Sequence, residues 1–270
     1  MSGACSLLRL YRAQFQTTIA SQLQYRVALV IWMLGLVLSP VIYLAVWAAV
    51  ARSQGGEVDG FTAGDFAAYF LAVMVVNHAT FTWIAWEFEY RVRHGTLSPL
   101  LLRPVHPIHR DIAENLSFKA LTFAVVVPVA AVLAIAFRPT FNAEPWAIAA
   151  FVPALALAVA LRFAIEWTLA LAAFWVTRVE ALNRLYFVTG LFLSGQAAPL
   201  ELLPAPARLL ADLLPFRWFL AFPVELLLGR LSSRETLIGF AALTGWLAVA
   251  VLLLRIAWGR GVRRYGAVGA

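Results

Sequence analysis

Charge is what this chain has least of. Only 13% of its 270 residues are Asp, Glu, Lys or Arg, about half the share usual in a soluble domain. It has one cysteine, Cys5, which excludes an internal disulfide and any multi-cysteine metal site. No G-x-x-x-x-G-K-[ST] occurs, so nothing cradles nucleotide phosphates in the P-loop way. H-E-x-x-H and G-x-S-x-G are missing too, which removes the commonest metallopeptidase and serine-hydrolase chemistries. The sequence lacks the ten-residue alternating segments of a membrane β-barrel, and it lacks the internal repeat of an inverted-repeat transporter.

What fills the chain is hydrocarbon: 63% hydrophobic residues and a mean hydropathy of +0.83. Such a chain takes lipid as its main solvent, where only helices or closed barrels satisfy their own backbones. The expected fold class is therefore all-α, a polytopic membrane protein. A net charge of +7 and a pI of 10.2 would suit a nucleic-acid partner, but the basic residues flank apolar runs and form no single face. No nucleic acid is expected as a partner.

Leu8, Tyr11, Phe15, Ile19 and Leu23 recur at spacings of three and four, with Arg9, Arg12, Gln16 and Gln22 between them. Segment 1–26 therefore reads as an amphipathic helix in the headgroup plane, in contact with membrane lipids. The alternative is a tail helix packed on another subunit. Residues 27–257 read as one transmembrane domain, and 258–270 as a basic cytoplasmic tail. Six membrane elements are predicted, at 27–51, 65–86, 115–137, 146–175, 183–198 and 236–257, each near the ~20 residues that cross ~30 Å of hydrocarbon. The first is too long, and starts too late, for the core of a signal peptide. Between the fifth and sixth, Pro199, Pro204, Pro206, Pro215 and Pro223 punctuate two short apolar stretches, about 201–214 and 217–229. Neither can cross alone, so they read as a re-entrant helical hairpin.

With six crossings, one side collects Arg9, Arg12, Arg26, Arg91, Arg93, Arg103, Arg110, Lys119, Arg178, Arg184, Arg255, Arg260, Arg263 and Arg264. The other holds Arg52, Arg138, Arg208, Arg217, Arg230 and Arg234. The positive-inside bias predicts both termini and the 87–114 loop in the cytoplasm, the protein lying in the inner or plasma membrane.

Arg162 and Glu166, four apart in the fourth span, share a helical face. Charges at that depth cost at least ~2.5 kcal/mol each on insertion scales, so they must pair or face a polar cavity. They are either a site on the transport pathway or a subunit interface, or a structural ion pair. Asn77 and His78 in the second span, followed by Phe81, Trp83 and Trp86, are a weaker candidate for a substrate-facing surface, with an interfacial aromatic belt as the alternative. His94, His106 and His109 with Asp111 crowd one loop, but Pro104 and Pro107 leave no regular ligand spacing, so solvated histidines are expected.

The segment from Trp86 to Ile108 places Leu97–Leu102 between charged flanks, and exposed leucines in a loop mark a docking surface for another protein. With Gly95-Thr-Leu-x-x-Leu-Leu-x-Arg103-Pro104 in this loop, and Ser194-Gly195-x-x-x-Pro199-Leu200-x-x-Leu203-Pro204 before the last span echoed by Pro215 and Gly229, the whole chain resembles the ABC-2 type permeases. Within them it looks like the group known only as ABC-2 family transporter proteins, some linked to drug or viologen export. Leu193-Ser194-Gly195-Gln196 looks like the signature of ABC ATPases, but it has lost a glycine, lies in an apolar run and has no P-loop upstream. That likeness is read as coincidence.

The resemblance implies a transport subunit that is not itself an enzyme, with no catalytic, cofactor or metal residues of its own. It would assemble with a second permease chain, identical or a sister, and with ABC ATPase subunits that carry ATP and Mg. The family's coupling helix carries over to this loop: Leu97, Leu100 and Leu101 would seat in a groove of the ATPase, Gly95 would allow the entry turn, Arg103 would anchor the end and Pro104 would stop the helix. Cargo would be a small amphiphilic or lipid-like molecule moving outward. Competing readings are a channel or scaffold, which needs no ATPase, and a membrane-embedded enzyme, for which Arg162 and Glu166 are a poor set.

Overall fold

The computed structural model describes residues 3–176 and 178–266, with the side chains of 3–6, 26, 28, 29 and 36 outside the description. Helix α1 (Gly3–Gln24) leads through Tyr25 into α2 (Arg26–Ser53). A short antiparallel hairpin, β1 (Glu57–Val58) and β2 (Phe61–Thr62), comes next, turning on Asp59 and Gly60. Both turn residues have positive φ, 45° and 75°, the backbone that Asp-Gly supplies to two-residue hairpins. This hairpin is the one departure from an all-helical fold among the described residues.

Thr62 then starts α3 (Ala63–Thr80) with a capping box: its hydroxyl accepts from the Asp65 amide while the Asp65 carboxylate accepts from the Thr62 amide. After three non-helical residues comes α4 (Ile84–Arg93), then the four-residue α5 (Ser98–Leu101) and the long α6 (Ile108–Phe137). Pro145 sits in the first turn of α7 (Pro145–Ala170), where its missing N–H costs nothing, and the helix tightens into a 3₁₀ turn at Leu171–Phe174. Next come α8 (Glu180–Leu193), a 3₁₀ turn at Leu200–Leu202, α9 (Ala205–Leu213), α10 (Pro215–Phe219) and α11 (Ala221–Leu227). A second capping box, Ser232 with Glu235, opens α12 (Ser233–Arg264).

Five helical stretches are long and apolar enough to cross a membrane: Val30–Ser53, Ala63–Arg93, Ile108–Phe137, Pro145–Phe174 and Ser233–Arg264. Three of them extend past the expected spans. The second runs seven residues beyond 86, the third starts at 108 instead of 115, and α12 continues through the expected tail to Arg264, the last residues of that tail lying outside the description. The expected fifth span is different in kind. Helix α8 has 14 residues, about 21 Å at 1.5 Å per residue, short of a ~30 Å core.

Helix α7 is the centre of the bundle, packed by α12, α11, α4 and α3. Ala147, Ala154 and Ala158 are buried along it and let neighbouring backbones come close, while Trp167 and Leu161 fill the space between. The two proline-punctuated stretches are unlike one another. Helix α9 turns Leu209, Leu210 and Leu213 outward, whereas α10 and α11 bury Phe216, Phe219, Phe222, Val224 and Leu226 in the main core.

Gly239 on α12 faces the Phe222 ring, and a Cβ there would land on ring carbons. Gly239→Ala is expected to lower stability by about 1–3 kcal/mol through overpacking, read as a drop in melting temperature in detergent. Gly245→Ala, whose Cβ would meet nothing within 4 Å, is expected to melt like the unaltered chain.

Candidate functional site

Residues 81–83 interrupt the second candidate span where no proline or glycine forces a break. The interruption is stitched by side chains of other helices. Glu166 Oε2 accepts from the Thr82 amide at 2.9 Å and from the Thr82 hydroxyl. Its Oε1 accepts from Arg162 Nε at 2.8 Å and from the Tyr186 hydroxyl at 3.4 Å. Arg162 Nη1 donates to Asn77 Oδ1 at 2.7 Å and to Thr80 Oγ1 at 2.9 Å, and its guanidinium lies 4.9 Å from the Phe219 ring centre and 5.3 Å from that of Phe81. On the other side of the break, Lys119 Nζ donates to the Phe81 carbonyl at 2.7 Å and to Asn115 Oδ1 at 2.7 Å. The Phe81 amide is satisfied by the Asn77 carbonyl.

The structure therefore joins three of the four expected polar residues. Arg162, Glu166 and Asn77 form one network, with the Arg162 and Glu166 side chains only 5% and 2% exposed. His78 lies outside it: Nε2 is 2.8 Å from Thr122 Oγ1 and the ring meets Phe123 edge-on at 4.8 Å. Sequence reasoning missed Thr80, Thr82, Tyr186 and above all Lys119, which was counted among the basic residues of the cytoplasmic side and is buried within α6. Its position eleven residues into a 30-residue helix, with apolar sequence after it, was the available signal.

At the end of the bundle that carries the 94–107 loop, Arg91 forms a second buried centre. It bonds Asp111 Oδ1 at 2.5 Å and Glu87 Oε2 at 2.9 Å, and lies 3.9 Å from Glu114. Trp167 Nε1 donates to the other oxygen of Asp111 at 2.9 Å. Asp111 is thus a packing residue of α6, not a loop ligand.

The loop itself corrects one expectation. Leu97 is 0% exposed and Leu100 6%, both in the main core, and Leu101 is half-buried against it. Gly95, at φ +70°, makes the turn that points Leu97 inward, and the Leu97 amide is held by the Arg91 carbonyl. An apolar residue beside a helix end is cheaper to bury under its own chain than to leave in water. The exposed residues are Thr96, Pro99, Leu102 at 88%, Arg103 and Pro104. The Ser98 hydroxyl, 3.0 Å from that of Tyr265, ties this turn to the end of α12.

The loop histidines are engaged rather than free. His109 Nδ1 lies 3.2 Å from the Tyr11 hydroxyl, joining α1 to α6, and the His106 ring meets Trp258 at 4.4 Å, tilted by 51°. Burial, helped by His109, holds the His106 imidazole below its usual pKa. Among the described residues no group of three His, Cys, Asp or Glu could hold a metal. The Leu193–Gln196 segment is a turn that anchors on other helices: the Gly195 carbonyl, at a residue with φ +86°, accepts from the Tyr69 hydroxyl at 2.6 Å, and the Ala197 carbonyl accepts from Trp47 Nε1 at 3.0 Å.

Compared with known families, residues 36–269 match the family described as ABC-2 family transporter protein. No curated protein matches the chain.

The network makes a specific demand on stability. Glu166→Gln leaves a buried guanidinium without its counter-charge, and a loss of about 3–5 kcal/mol is expected, measured by thermal or denaturant unfolding in detergent. Arg162→Gln with Glu166→Gln removes both charges and is expected to cost less than the sum of the two single changes. Equal stability of Glu166→Gln and the unaltered chain would mean that the pair does not hold the break.

Proposed function

The chain belongs to the ABC-2 transporter family, and we propose that it is the permease half of an exporter driven by ATPase subunits on separate chains. It is a multi-pass membrane transport subunit. The observation that carries the reading is the turn at 95–104, which pairs a fixed base with a presented surface. Leu97 and Leu100 root it in the core, Ser98 ties it to α12, and Leu102, Arg103 and Pro104 stand out from it. A large apolar side chain at 88% exposure beside a guanidinium suits a groove on another protein better than open water. The coupling surface is thus Leu102, Arg103, Pro104, Pro99 and Thr96, with Gly95, Leu97, Leu100 and Leu101 as its support.

In this reading ATP and Mg stay on the partner, and nucleotide binding shifts a pair of permease chains, identical or sister, between two states to which cargo binds unequally. Push or pull at the turn reaches the membrane directly, because α4 runs without interruption from Arg93 to the break at residue 83. The basic residues support a cytoplasmic placement of the turn and both termini, in the inner or plasma membrane. Helix α8 and the segment that follows it carry the chain to the far side as the sixth crossing, and α9–α11 forms the re-entrant element between α8 and α12, capping the far end of the pathway. The cargo is a small amphiphilic or lipid-like molecule that leaves the cell. The saturated network around Arg162 and Glu166 supports packing over a pathway role for that pair.

Two measurements check this. Leu102→Asp with Arg103→Glu is expected to abolish co-purification with the partner ABC ATPase, and transport-stimulated ATP hydrolysis with it, while insertion and melting temperature stay unchanged. Retained co-purification and stimulation would remove the coupling role of the turn. Separately, cysteines placed at Asp59 and Thr96 are expected to label from opposite sides of the membrane, and labelling from one side would sink this topology.

A further inference from the structure

The arginines near the helix ends are not all met in the same way. On α4, α6 and α8, Arg91, Arg93, Arg110 and Arg184 each have a glutamate four residues away, at 3.9 Å or closer. Helix α12 lacks this pairing. Arg255, Arg260, Arg263 and Arg264 are all exposed, and no Asp or Glu follows Glu235 in the chain. Among the described residues, none of the four has an acidic partner; Arg263 Nε donates to the Gly259 carbonyl at 2.9 Å.

Packing fixes the rotation of this helix. Gly261 lies against the Phe174 ring, where a Cβ would land on ring carbons, and Trp258 packs against His106, Trp167 and Phe174. At 3.6 residues per turn, the four arginines fall on the half of α12 turned away from those contacts. Val249, Leu252, Leu253 and Ile256 are exposed on that same half. One helix face thus runs from exposed hydrocarbon into a stretch of guanidiniums from Arg255 to Arg264, about 13 Å along the axis at 1.5 Å per residue.

We propose that this face binds an anionic membrane phospholipid, its phosphate on the arginines and its acyl chains along the apolar residues before them. Guanidinium forks match phosphate oxygens, and basic residues beside a span draw anionic lipids from the surrounding leaflet. A zwitterionic headgroup offers the same phosphate but brings its own cation, which would find arginines and no acid to receive it. Free phosphate would leave the hydrocarbon half of the face unused. Because the Ser98 and Tyr265 hydroxyls tie the end of α12 to the 95–104 turn, a lipid seated here also steadies the base of that turn. The inference needs only that α12 crosses a membrane, and it holds whatever the chain carries.

The test is native mass spectrometry of the full chain in detergent, titrated with dioleoyl phosphatidylglycerol and, separately, with dioleoyl phosphatidylcholine. The first phosphatidylglycerol is expected to bind about tenfold more tightly than the first phosphatidylcholine. Arg260→Gln with Arg263→Gln is expected to weaken phosphatidylglycerol about tenfold and leave phosphatidylcholine unchanged. Arg255→Gln with Arg264→Gln provides a second variant should the first fold poorly. Arg52→Gln with Arg138→Gln, exposed at the far ends of α2 and α6, removes the same charge and is expected to change neither lipid. Equal affinity for the two lipids overturns the proposal, and so does equal weakening by the Arg52 and Arg138 pair, which would reduce the effect to net charge. Displacement of phosphatidylglycerol by excess glycerol 3-phosphate would make this a free-phosphate site and overturn it as well. Unchanged phosphatidylglycerol affinity in both α12 variants, with co-purification of the partner ATPase lost, would assign the face to a protein instead.

Discussion

A helix interrupted inside a bilayer leaves amides and carbonyls where no water can reach them, and such a break survives only if the protein itself supplies their partners. Here Glu166 accepts from the Thr82 amide and Lys119 donates to the Phe81 carbonyl. Arg162 then serves two ends: it balances the charge of Glu166 and fastens Asn77 and Thr80 on the helix before the break. The ionisable groups at depth are tolerated because their hydrogen bonds go to the broken backbone and its flanking side chains. The same contacts place α7 against α3 and α4 and so fix the middle of the bundle.

The break also redirects the chain beyond it. Because α3 ends at Thr80, the helix restarts as α4, which carries Trp86, Glu87 and Arg91 to α1 and α6, where an aromatic-lined cavity and the Arg91 centre form. At its far end α4 delivers the turn at Gly95. One backbone interruption thus connects the polar network at depth, the cavity beside it and the surface that would meet a partner.

Much of the fold was legible in the sequence, for local reasons. Runs of apolar residues marked α2, α6, α7 and α12, and a dearth of charge with no barrel pattern required helices. Arg162 and Glu166 at a spacing of four had to pair or face a polar cavity, and they pair. Three features were not legible. The break at 81–83 has no local breaker, since Phe81, Thr82 and Trp83 lie between good helical flanks, and Glu166 makes it from 84 positions away. Lys119 was counted with the cytoplasmic charges because the charged start of α6 hid how far the helix had already run. Leu97 and Leu100 looked exposed because a leucine run gives no sign of which members turn inward, and that depends on the core they meet once the chain is folded.

The account stands on the claim that residues 81–83 are non-helical and that side chains of other helices satisfy the Thr82 amide and the Phe81 carbonyl. Amide hydrogen exchange at Thr82, in the full chain in nanodiscs, tests this most directly. The bond to Glu166 predicts slow exchange at Thr82, comparable to the amides inside α3, and fast exchange once Glu166 is replaced by Ala. Exchange at Thr82 in the unaltered chain as fast as at Gly55 and Gly56, the exposed turn residues, would contradict it.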